Sequence, residues 1–270
     1  MVVFGVIIVA TNHNNNIKQQ KSVTHSKIIV KDSSDTQKLA ALTTAVDQVI
    51  NANSGIDFEV SSLDITNGNN QISFGDTNPM TAASVSKIIT ATDFLNQVQN
   101  GAQSMSEVLE DGNTVSYDLQ QMIVVSDDDS WDALNDVLTY PQLQRYSVSI
   151  GVTSEDWPTN TLTASDTANL LAKLYEGKLL NRTYTNLVLG YMKQANYRQY
   201  MVPAIPSYDT IYHKIGLYDD DVNDAAIITN GKQTVSLVVF TNGNGDYDWP
   251  NRAIMIQQIT KAFLTYYGLD

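Results

Sequence analysis

The sequence predicts an α+β fold, an α/β sandwich in which an antiparallel sheet carries the N- and C-terminal helices and an all-helical lobe lies beside it. Three observations predict this arrangement. Strand patterns occur near both ends of the chain, a helical pattern flanks them at each end, and residues 81–200 between them are mostly of helical pattern. Because strands from both ends must pair to close one sheet, the helical insert has to lie to one side of it.

The N-terminal part of the domain predicts one helix and two strands. Apolar residues recur at helical spacing between positions 39 and 50, and Gly55 ends the pattern. Alternating apolar residues at 56–60 predict the first strand. Asn67-Gly68 marks a turn, after which residues 72–74 begin the second strand.

The remaining elements follow in order along the chain. The predicted helices of the insert include Ser84–Val98, Leu119–Val125, Ser130–Leu138 and Ser165–Tyr175. Strands are predicted at Thr210–Ile215, Asp224–Thr229 and Thr234–Thr241, and Asn230-Gly231 forms a hairpin turn between the last two. Asp248 and Pro250 predict the start of a final helix, with Ile256, Ile259 and Phe263 pointing inward.

Composition excludes several classes of function. The 270 residues include 16 Lys and Arg, 29 Asp and Glu, three His and no Cys. The lack of Cys excludes disulfides, iron–sulfur clusters and a cysteine nucleophile, and two of the three His lie in a polar N-terminal stretch, so we expect no metal and no cofactor. The formal net charge of −13 argues against nucleic acid as a partner. A monomer is the default expectation.

Residues 1–36 are predicted to be a truncated signal or anchor followed by a polar tether. The apolar run Met1–Ala10 is shorter than the roughly 20 residues that span a bilayer and lacks a positive n-region, so a short buried strand is the alternative. Thr11–Asp35 is rich in Asn, Gln, Ser and Lys, which is typical of a flexible tether. We therefore expect an extracellular or cell-surface anchored protein, with the N-terminus as the candidate membrane anchor. Its folded domain would span residues 37–270, with a sheet lobe at 37–80 and 205–270 and a helical lobe at 81–204.

Three short motifs carry candidate chemistry. Ser84 and Lys87 are three residues apart at the start of a predicted helix, so their side chains can touch on one face. The stretch 126–128 (Ser-Asp-Asp) ends an apolar helix, and 213–216 (His-Lys-Ile-Gly) ends a strand. Taken singly, each has an ordinary structural explanation: a capped surface helix, an acidic N-cap and a basic residue at a strand edge.

The order and spacing of the motifs are far more specific than any one of them. S-x-x-K, then S-D-N, then K-T-G is the signature of the penicillin-recognising serine hydrolases. This chain resembles that family over residues 37–270, and most closely its class A β-lactamase-like branch. Supporting stretches are AASVSK at 82–87, MIVVSDDDSWDALN at 122–135 and DDVNDAAII at 220–228. The resemblance implies a β-lactamase/transpeptidase-like fold, which agrees with the predicted element order.

The resemblance implies a role for each motif residue. It identifies Ser84 as the acylated nucleophile and Lys87 as the group that takes its proton, directly or through water. Ser126 would pass a proton to the leaving nitrogen, while Lys214 would attract the substrate carboxylate and help to keep Lys87 neutral. The backbone N–H groups of Ser84 and Leu217 would form the oxyanion hole.

The resemblance also implies that Asp128, Ile215, Gly216 and Leu217 lie where the substrate binds. Two of these residues depart from the family pattern. Asp128 replaces the Asn of the second motif, so an amide donor becomes a carboxylate that only accepts hydrogen bonds and favours the charged form of Lys87. Ile215 replaces the Thr or Ser of the third motif and lacks the hydroxyl that helps to bind the substrate carboxylate.

A third departure concerns deacylation. Class A β-lactamases carry a Glu and, four residues later, an Asn in a loop after the second motif. Here the corresponding loop, 151–165, is short; its one Glu is Glu155, and Asn160 comes five residues later. Glu155 is therefore either the deacylating base or an ordinary solvated loop residue.

The sequence leaves two classes of function open. One is an exported serine hydrolase that acylates Ser84 with a β-lactam or a peptidoglycan stem peptide and deacylates slowly, with esterases or amidases on the same scaffold as variants. The other is a degenerate, non-catalytic module that binds cell-wall peptide or a protein partner, because two of the three motifs are altered.

Overall fold

The computed structural model describes residues 33–68 and 70–270. The predicted signal or anchor at residues 1–10 and most of the predicted tether lie outside the described residues. The first helix begins at Ser33, within the stretch predicted as tether. No helix of the described part is both long and apolar enough to cross a bilayer.

The strands of the main sheet lie near the two ends of the chain, and six of the eight described helices lie between them. The helices are α1 (Ser33–Ala52), α2 (Lys87–Gln99), α3 (Val115–Val124), α4 (Asp128–Leu138), α5 (Tyr140–Ser149), α6 (Ala164–Tyr175), α7 (Arg182–Gln194) and α8 (Trp249–Tyr267). The strands are β1 (Asp57–Asp64), β2 (Asn70–Gly75), β3 (Met80–Thr81), β4 (Thr161–Leu162), β5 (Thr210–Tyr218), β6 (Asp221–Thr229) and β7 (Thr234–Asn242).

One five-stranded antiparallel sheet joins the two ends of the chain. Its strand order is β2-β1-β7-β6-β5, and β1 pairs with β7 in a register that sets Val60 opposite Val239. A separate two-stranded sheet pairs β3 with β4, so that Met80 lies opposite Leu162. Strand β5 is therefore an edge strand, whose outer side is available to the segment that precedes α2.

The sheet separates two apolar cores. Along β7, Leu237 and Val239 point to the side covered by α1 and α8, whereas Val238 and Phe240 point to the side covered by the helices of the insert. All four side chains are 0% exposed. Strand β7 is therefore buried on both faces, which is why residues 237–240 form a continuous apolar run instead of alternating.

The predicted fold class is confirmed, and the differences are local. The first helix of the insert begins as a 3₁₀ turn at Ala83–Ser86 before α2 continues. Helix α3 starts earlier than predicted because the hydroxyl of Thr114 accepts a hydrogen bond from the backbone N–H of Tyr117 and caps the helix. Helices α5 and α7 were not predicted individually.

Ile259→Ala is expected to lower the free energy of unfolding by about 2–5 kcal/mol, because Ile259 is fully buried in α8 against the sheet. Ile254→Ala in the same helix is the matched control. Ile254 is 53% exposed, so its truncation should cost less than about 0.5 kcal/mol. Chemical denaturation of both variants measures the difference, and equal losses would contradict the assigned inward face of α8.

Candidate active site

The candidate nucleophile lies in a strained turn where the 3₁₀ segment meets α2. Ala83, just before Ser84, has a φ of 49°, a left-handed conformation that is unfavourable for a residue with a Cβ. Ser84 itself is half-buried. Within the described residues its hydroxyl forms no hydrogen bond, so it is free to meet a ligand.

Strand β5 and its neighbour β6 hold this turn against the sheet. A Cβ on Gly216 would lie 2.3 Å from the carbonyl oxygen of Ala82, so only glycine allows so close an approach. The side-chain amide of Asn223 on β6 donates to the carbonyl oxygen of Thr81 at 2.8 Å, and its oxygen accepts from the backbone N–H of Thr241 at 3.0 Å. The third motif therefore lies directly beside the first.

Asn160 holds the same turn from the opposite direction. Its side-chain amide donates to the carbonyl oxygen of Ala83 at 3.1 Å, and its side-chain oxygen accepts from the hydroxyl of Ser86. Its own carbonyl oxygen accepts from the backbone N–H of Ala82 at 2.9 Å. These contacts on both sides of Ser84 make Asn160 the loop residue that positions the nucleophile.

The two motif lysines converge on Ser126. Lys87 Nζ donates to the carbonyl oxygen of Ser126 at 2.8 Å, and Lys214 Nζ donates to the Ser126 hydroxyl at 2.7 Å. Ser126 has a φ of 65°, so its backbone is held in the left-handed region at this point. The structure thus brings together one residue of each motif around a single serine.

Burial dominates the electrostatics of both lysines. Lys87 is 0% exposed and Lys214 is 1% exposed. Loss of hydration lowers the pKa of Lys87, and it lowers the pKa of Lys214 well below its usual range, with the nearby charge of Lys87 adding to the shift. Such shifts favour a neutral amine, which is the form that can accept a proton.

Asp128 opposes this effect at Lys87. Its Oδ1 accepts a hydrogen bond from Lys87 Nζ at 2.5 Å, and this contact raises the lysine pKa against the effect of burial, as do the charges of Asp127 and Asp132. The ring of Trp131 also lies 5.0 Å from Lys87 Nζ, which favours the cation. The Asp128 side chain is 79% exposed, so only one of the two partners is buried.

The expected contact between Ser84 and Lys87 is not formed as a hydrogen bond. Spacing alone places the two side chains on one helix face, but Asp128 and the carbonyl oxygen of Ser126 take the hydrogen bonds of the Lys87 amine. A 3₁₀ start to the helix also changes the relative directions of residues three apart. The motif residues are close together, and a carboxylate binds the amine of Lys87.

Ile215 does not present its side chain to the cleft, which corrects its predicted place in substrate binding. It is 3% exposed and packs in the core on the α1 and α8 side of the sheet, because alternate residues of β5 point to opposite faces. Only its main chain can contribute, and its carbonyl oxygen accepts from Lys214 Nζ at 3.1 Å. Leu217 lies on the same edge strand, partly buried against that core.

His213 also points away from the nucleophile. Its Nδ1 lies 3.1 Å from Oδ1 of Asp224, both side chains are fully buried, and the other oxygen of Asp224 accepts from the backbone N–H of Met201. This pair fastens the 201–205 segment to the sheet. The histidine of the third motif is therefore structural, whereas its neighbour Lys214 faces the site.

The structure excludes one of the two alternatives that the sequence left open for Glu155. It is 4% exposed, so it is not a solvated loop residue, and neither carboxylate oxygen has a hydrogen-bond partner among the described residues. Burial raises its pKa to about 8, and the one charged neighbour that contributes is Asp156. No lysine contributes to this shift, and Glu155 forms no hydrogen bond with Lys87 or Lys214.

The sequence missed three contributors to this site. Trp131 follows Asp128 by three residues and therefore reaches the same lysine from one helix face. Asn160 and Asn223 act by holding backbone carbonyl groups. An Asn in a loop and an Asn in an apolar strand are weak signals, although an amide at a fully buried strand position needs partners.

A sequence profile of the Beta-lactamase enzyme family matches residues 41–267. This chain belongs to that family. No curated protein sequence matches this β-lactamase-family protein at a significant level.

Solved structures share its fold at low sequence identity. A β-lactamase from Xanthomonas campestris pv. campestris is 19% identical, with 84% of this chain and 97% of that chain covered and a TM-score of 0.76. A β-lactamase from Sphaerobacter thermophilus is 20% identical, with 86% and 98% covered and a TM-score of 0.75. The structure of PBP-A is 18% identical, with 84% and 97% covered and a TM-score of 0.75.

Glu155→Gln is expected to change how stability depends on pH. The folded chain holds the Glu155 proton up to a pKa of about 8, whereas the usual value is 4.5. The unfolded state therefore releases its proton first, and the carboxyl group lowers the free energy of unfolding as the pH rises through this window. Between pH 5 and pH 8, the free energy of unfolding of the variant should fall by at least about 1 kcal/mol less than that of the parent.

Denaturation midpoints across this pH range measure the effect. Glu110→Gln, at an exposed position, should leave the pH dependence of the parent unchanged. Equal pH slopes in Glu155→Gln and the parent would show that the carboxyl group is not held neutral in the folded protein.

Proposed function

We propose that this β-lactamase-family protein is a serine hydrolase that is acylated at Ser84 by a β-lactam or by the related amide of a peptidoglycan peptide. The observation that carries the proposal is the arrangement around Ser126, whose carbonyl oxygen and hydroxyl accept hydrogen bonds from two buried lysines. The Ser126 hydroxyl is bonded to the amine of Lys214, and the carbonyl oxygen of the same residue is bonded to the amine of Lys87. A hydroxyl in this position can pass a proton in either direction. A merely structural serine needs no such pair.

The proposed reaction proceeds in two stages. In the first, Ser84 Oγ bonds to the carbonyl carbon while the neutral Lys87 amine takes the hydroxyl proton. The carbon–nitrogen bond then breaks, and the leaving nitrogen takes a proton from the Ser126 hydroxyl. Ser126 regains a proton from Lys214, which is bonded to its hydroxyl, and the proton that Lys87 took from Ser84 passes to Lys214 through water. In the second stage, water cleaves the ester and restores Ser84.

Each of the remaining site residues has a part in this scheme. The cationic form of Lys214 would attract a substrate carboxylate, and the edge of β5 at Gly216 and Leu217 would supply a backbone N–H to the developing oxyanion, together with that of Ser84. Asn160 and Asn223 would keep the turn rigid while charge develops. Rigid donors stabilise the transition state because they do not have to reorganise.

Slow deacylation follows from the loop 151–165. Its one glutamate is buried without a lysine nearby, and the amide of Asn160 is already committed to Ala83 and Ser86. We infer that neither residue activates a water beside Ser84, and the other carboxylate of the loop, Asp156, accepts a hydrogen bond from the hydroxyl of Thr159. We expect an acyl-enzyme that persists.

A second candidate function is a non-catalytic module that binds cell-wall peptide or a protein partner. The observation that favours it is the hydrogen bond between Asp128 and Lys87, which stabilises the protonated lysine, the form that cannot act as a base. The two candidates differ in whether Ser84 forms a covalent bond.

We also propose that the protein acts outside the cytoplasm, with residues 1–36 as a former signal or an anchor and tether. The apolar run at residues 1–10 and the peptidoglycan-type amide as substrate support this location. Fractionation of cells that express the full chain tests it, and recovery in the cytoplasmic fraction alone would contradict it.

Incubation with penicillin G is expected to add the mass of one penicillin molecule at Ser84, and the adduct should outlast removal of free drug. Intact-protein mass spectrometry over time measures both acylation and its lifetime. Ser84→Ala should gain no mass, whereas Ser106→Ala, at an exposed serine, should behave as the parent does.

Two outcomes would overturn parts of this proposal. Rapid, repeated hydrolysis of a chromogenic cephalosporin would contradict slow deacylation. A complete lack of adduct after long incubation would rule out acylation and leave the binding module.

Asp128→Asn is expected to raise the second-order rate constant for acylation by penicillin by at least about tenfold, or ~1.4 kcal/mol of activation free energy. The physical reason is that an amide lacks the charge with which Asp128 holds the proton on Lys87. Asp129→Asn, an exposed neighbour in the first turn of α4, controls for the change in net charge and should leave the rate near that of the parent. An unchanged or lower rate in Asp128→Asn would mean that Asp128 serves a ligand other than a β-lactam.

A further inference from the structure

A second cavity lies apart from the Ser84 site. It has a volume of about 370 Å³ and lies between β1, β2, the 153–154 segment and the start of α6. Its lining consists of three carboxylates, one glutamine amide and six hydroxyl groups, with no lysine, arginine or histidine. None of the lining residues belongs to the candidate active site, so the cavity is not explained by the proposed function.

One of the three carboxylates is buried, and one of its two oxygens has no hydrogen-bond partner. Glu59 on β1 is 3% exposed, and its Oε2 has no hydrogen-bond partner in the part of the chain that the structure describes. A buried carboxylate oxygen without a partner is costly, and native proteins rarely retain one without a ligand or function. Burial raises the pKa of Glu59 to about 8, Asp76 and Asp166 add to the rise, and the backbone N–H groups of Ala164 and Ser165 offset part of it.

The other two carboxylates are fixed in place by the backbone. Asp166 Oδ2 accepts from the N–H groups of Thr153 and Ser154 at 2.7 and 2.9 Å. Asp76 Oδ1 accepts from the N–H of Thr77 at 2.7 Å. These bonds orient the two side chains, and no lysine, arginine or histidine of the cavity lining pairs with them.

We propose that this cavity binds a primary ammonium group carried on a flexible alkyl chain, as in a lysine side chain or a polyamine. An ammonium group has three donors and needs acceptors in different directions, which the three carboxyl groups and the surrounding hydroxyl groups of the lining provide. A guanidinium group instead favours two parallel bonds to one carboxylate. No group of His, Cys, Asp and Glu side chains among residues 33–68 and 70–270 could hold a metal ion, which disfavours an inorganic cation.

The first test is direct binding to the full chain. Pentylamine hydrochloride is the probe, 1-pentanol is the neutral control of equal length, and backbone amide shifts of Thr153, Ser154 and Ser165 are the readout. The proposal predicts saturable shifts with the amine at a dissociation constant below about 1 mM and none with the alcohol. Equal shifts with both compounds, or no saturable shift with the amine, would overturn it.

Two further ligands distinguish the sources of the ammonium group. Tighter binding of Nα-acetyl-lysine amide than of 1,5-diaminopentane supports a peptide ligand, and the reverse order supports a polyamine. With either ligand, Glu59→Gln should weaken binding at least about tenfold. A bound ammonium group favours the ionised form of Glu59, whereas an amide of the same size cannot carry the charge. Glu110→Gln should bind as the parent does, and equal weakening in both variants would contradict a specific role for Glu59.

A second test needs no ligand. Ser73 on β2 lines the cavity, so Ser73→Lys should place an ammonium group inside it, and Ser73→Met is the uncharged control of similar length. The lysine variant should have a Tm about 2–4 °C above that of the methionine variant, and the gap should close when Glu59→Gln is added to both. A gap that is absent, or that persists without Glu59, would overturn the proposal. Neither test depends on acylation of Ser84.

Discussion

The close contact between the edge of the sheet and the turn that carries Ser84 is the constraint on which the rest of the structure depends. At Gly216 the strand approaches the carbonyl oxygen of Ala82 so closely that no side chain fits between them. This contact fixes the distance between the sheet and the helical layer. It also aligns the first and third motifs, which are more than a hundred residues apart in sequence. Asn223 and Asn160 reinforce it from either side, so the turn has little freedom to relax its left-handed residue.

Two opposing electrostatic effects meet at Lys87. Burial removes the water that would stabilise its charge, and this favours the neutral amine that acyl transfer requires. The Asp128 carboxylate and the face of Trp131 favour the ammonium form instead. Since Asp128 is largely exposed, water screens its charge, and the pair is weaker than a fully buried ion pair would be. The balance between the two effects decides whether the site is a catalyst or a receptor.

The loop 151–165 contains both a residue that positions the Ser84 turn, Asn160, and a buried carboxyl group, that of Glu155. Asn160 holds the turn that carries Ser84, whereas Glu155 is buried with its pKa raised to about 8. The same part of the chain, through Thr153 and Ser154, orients Asp166 at the second cavity. The loop and the first residues of α6 therefore contribute to two polar sites.

The sequence by itself determined the fold class, the order of the five strands of the main sheet and the three motifs that meet beside them, because these depend on local periodicity and on motif order. The alternation at 56–60, the Asn230-Gly231 turn and the capped start of α8 are short-range signals, and each corresponds to an observed element. Tertiary structure alone decided the side-chain directions and contacts. Pleating turns Ile215 into the core, a 3₁₀ turn and Asp128 direct Lys87 away from Ser84, and burial converts Glu155 from a loop acid into a neutral group. These outcomes depend on neighbours that are distant in sequence, so no local pattern could specify them.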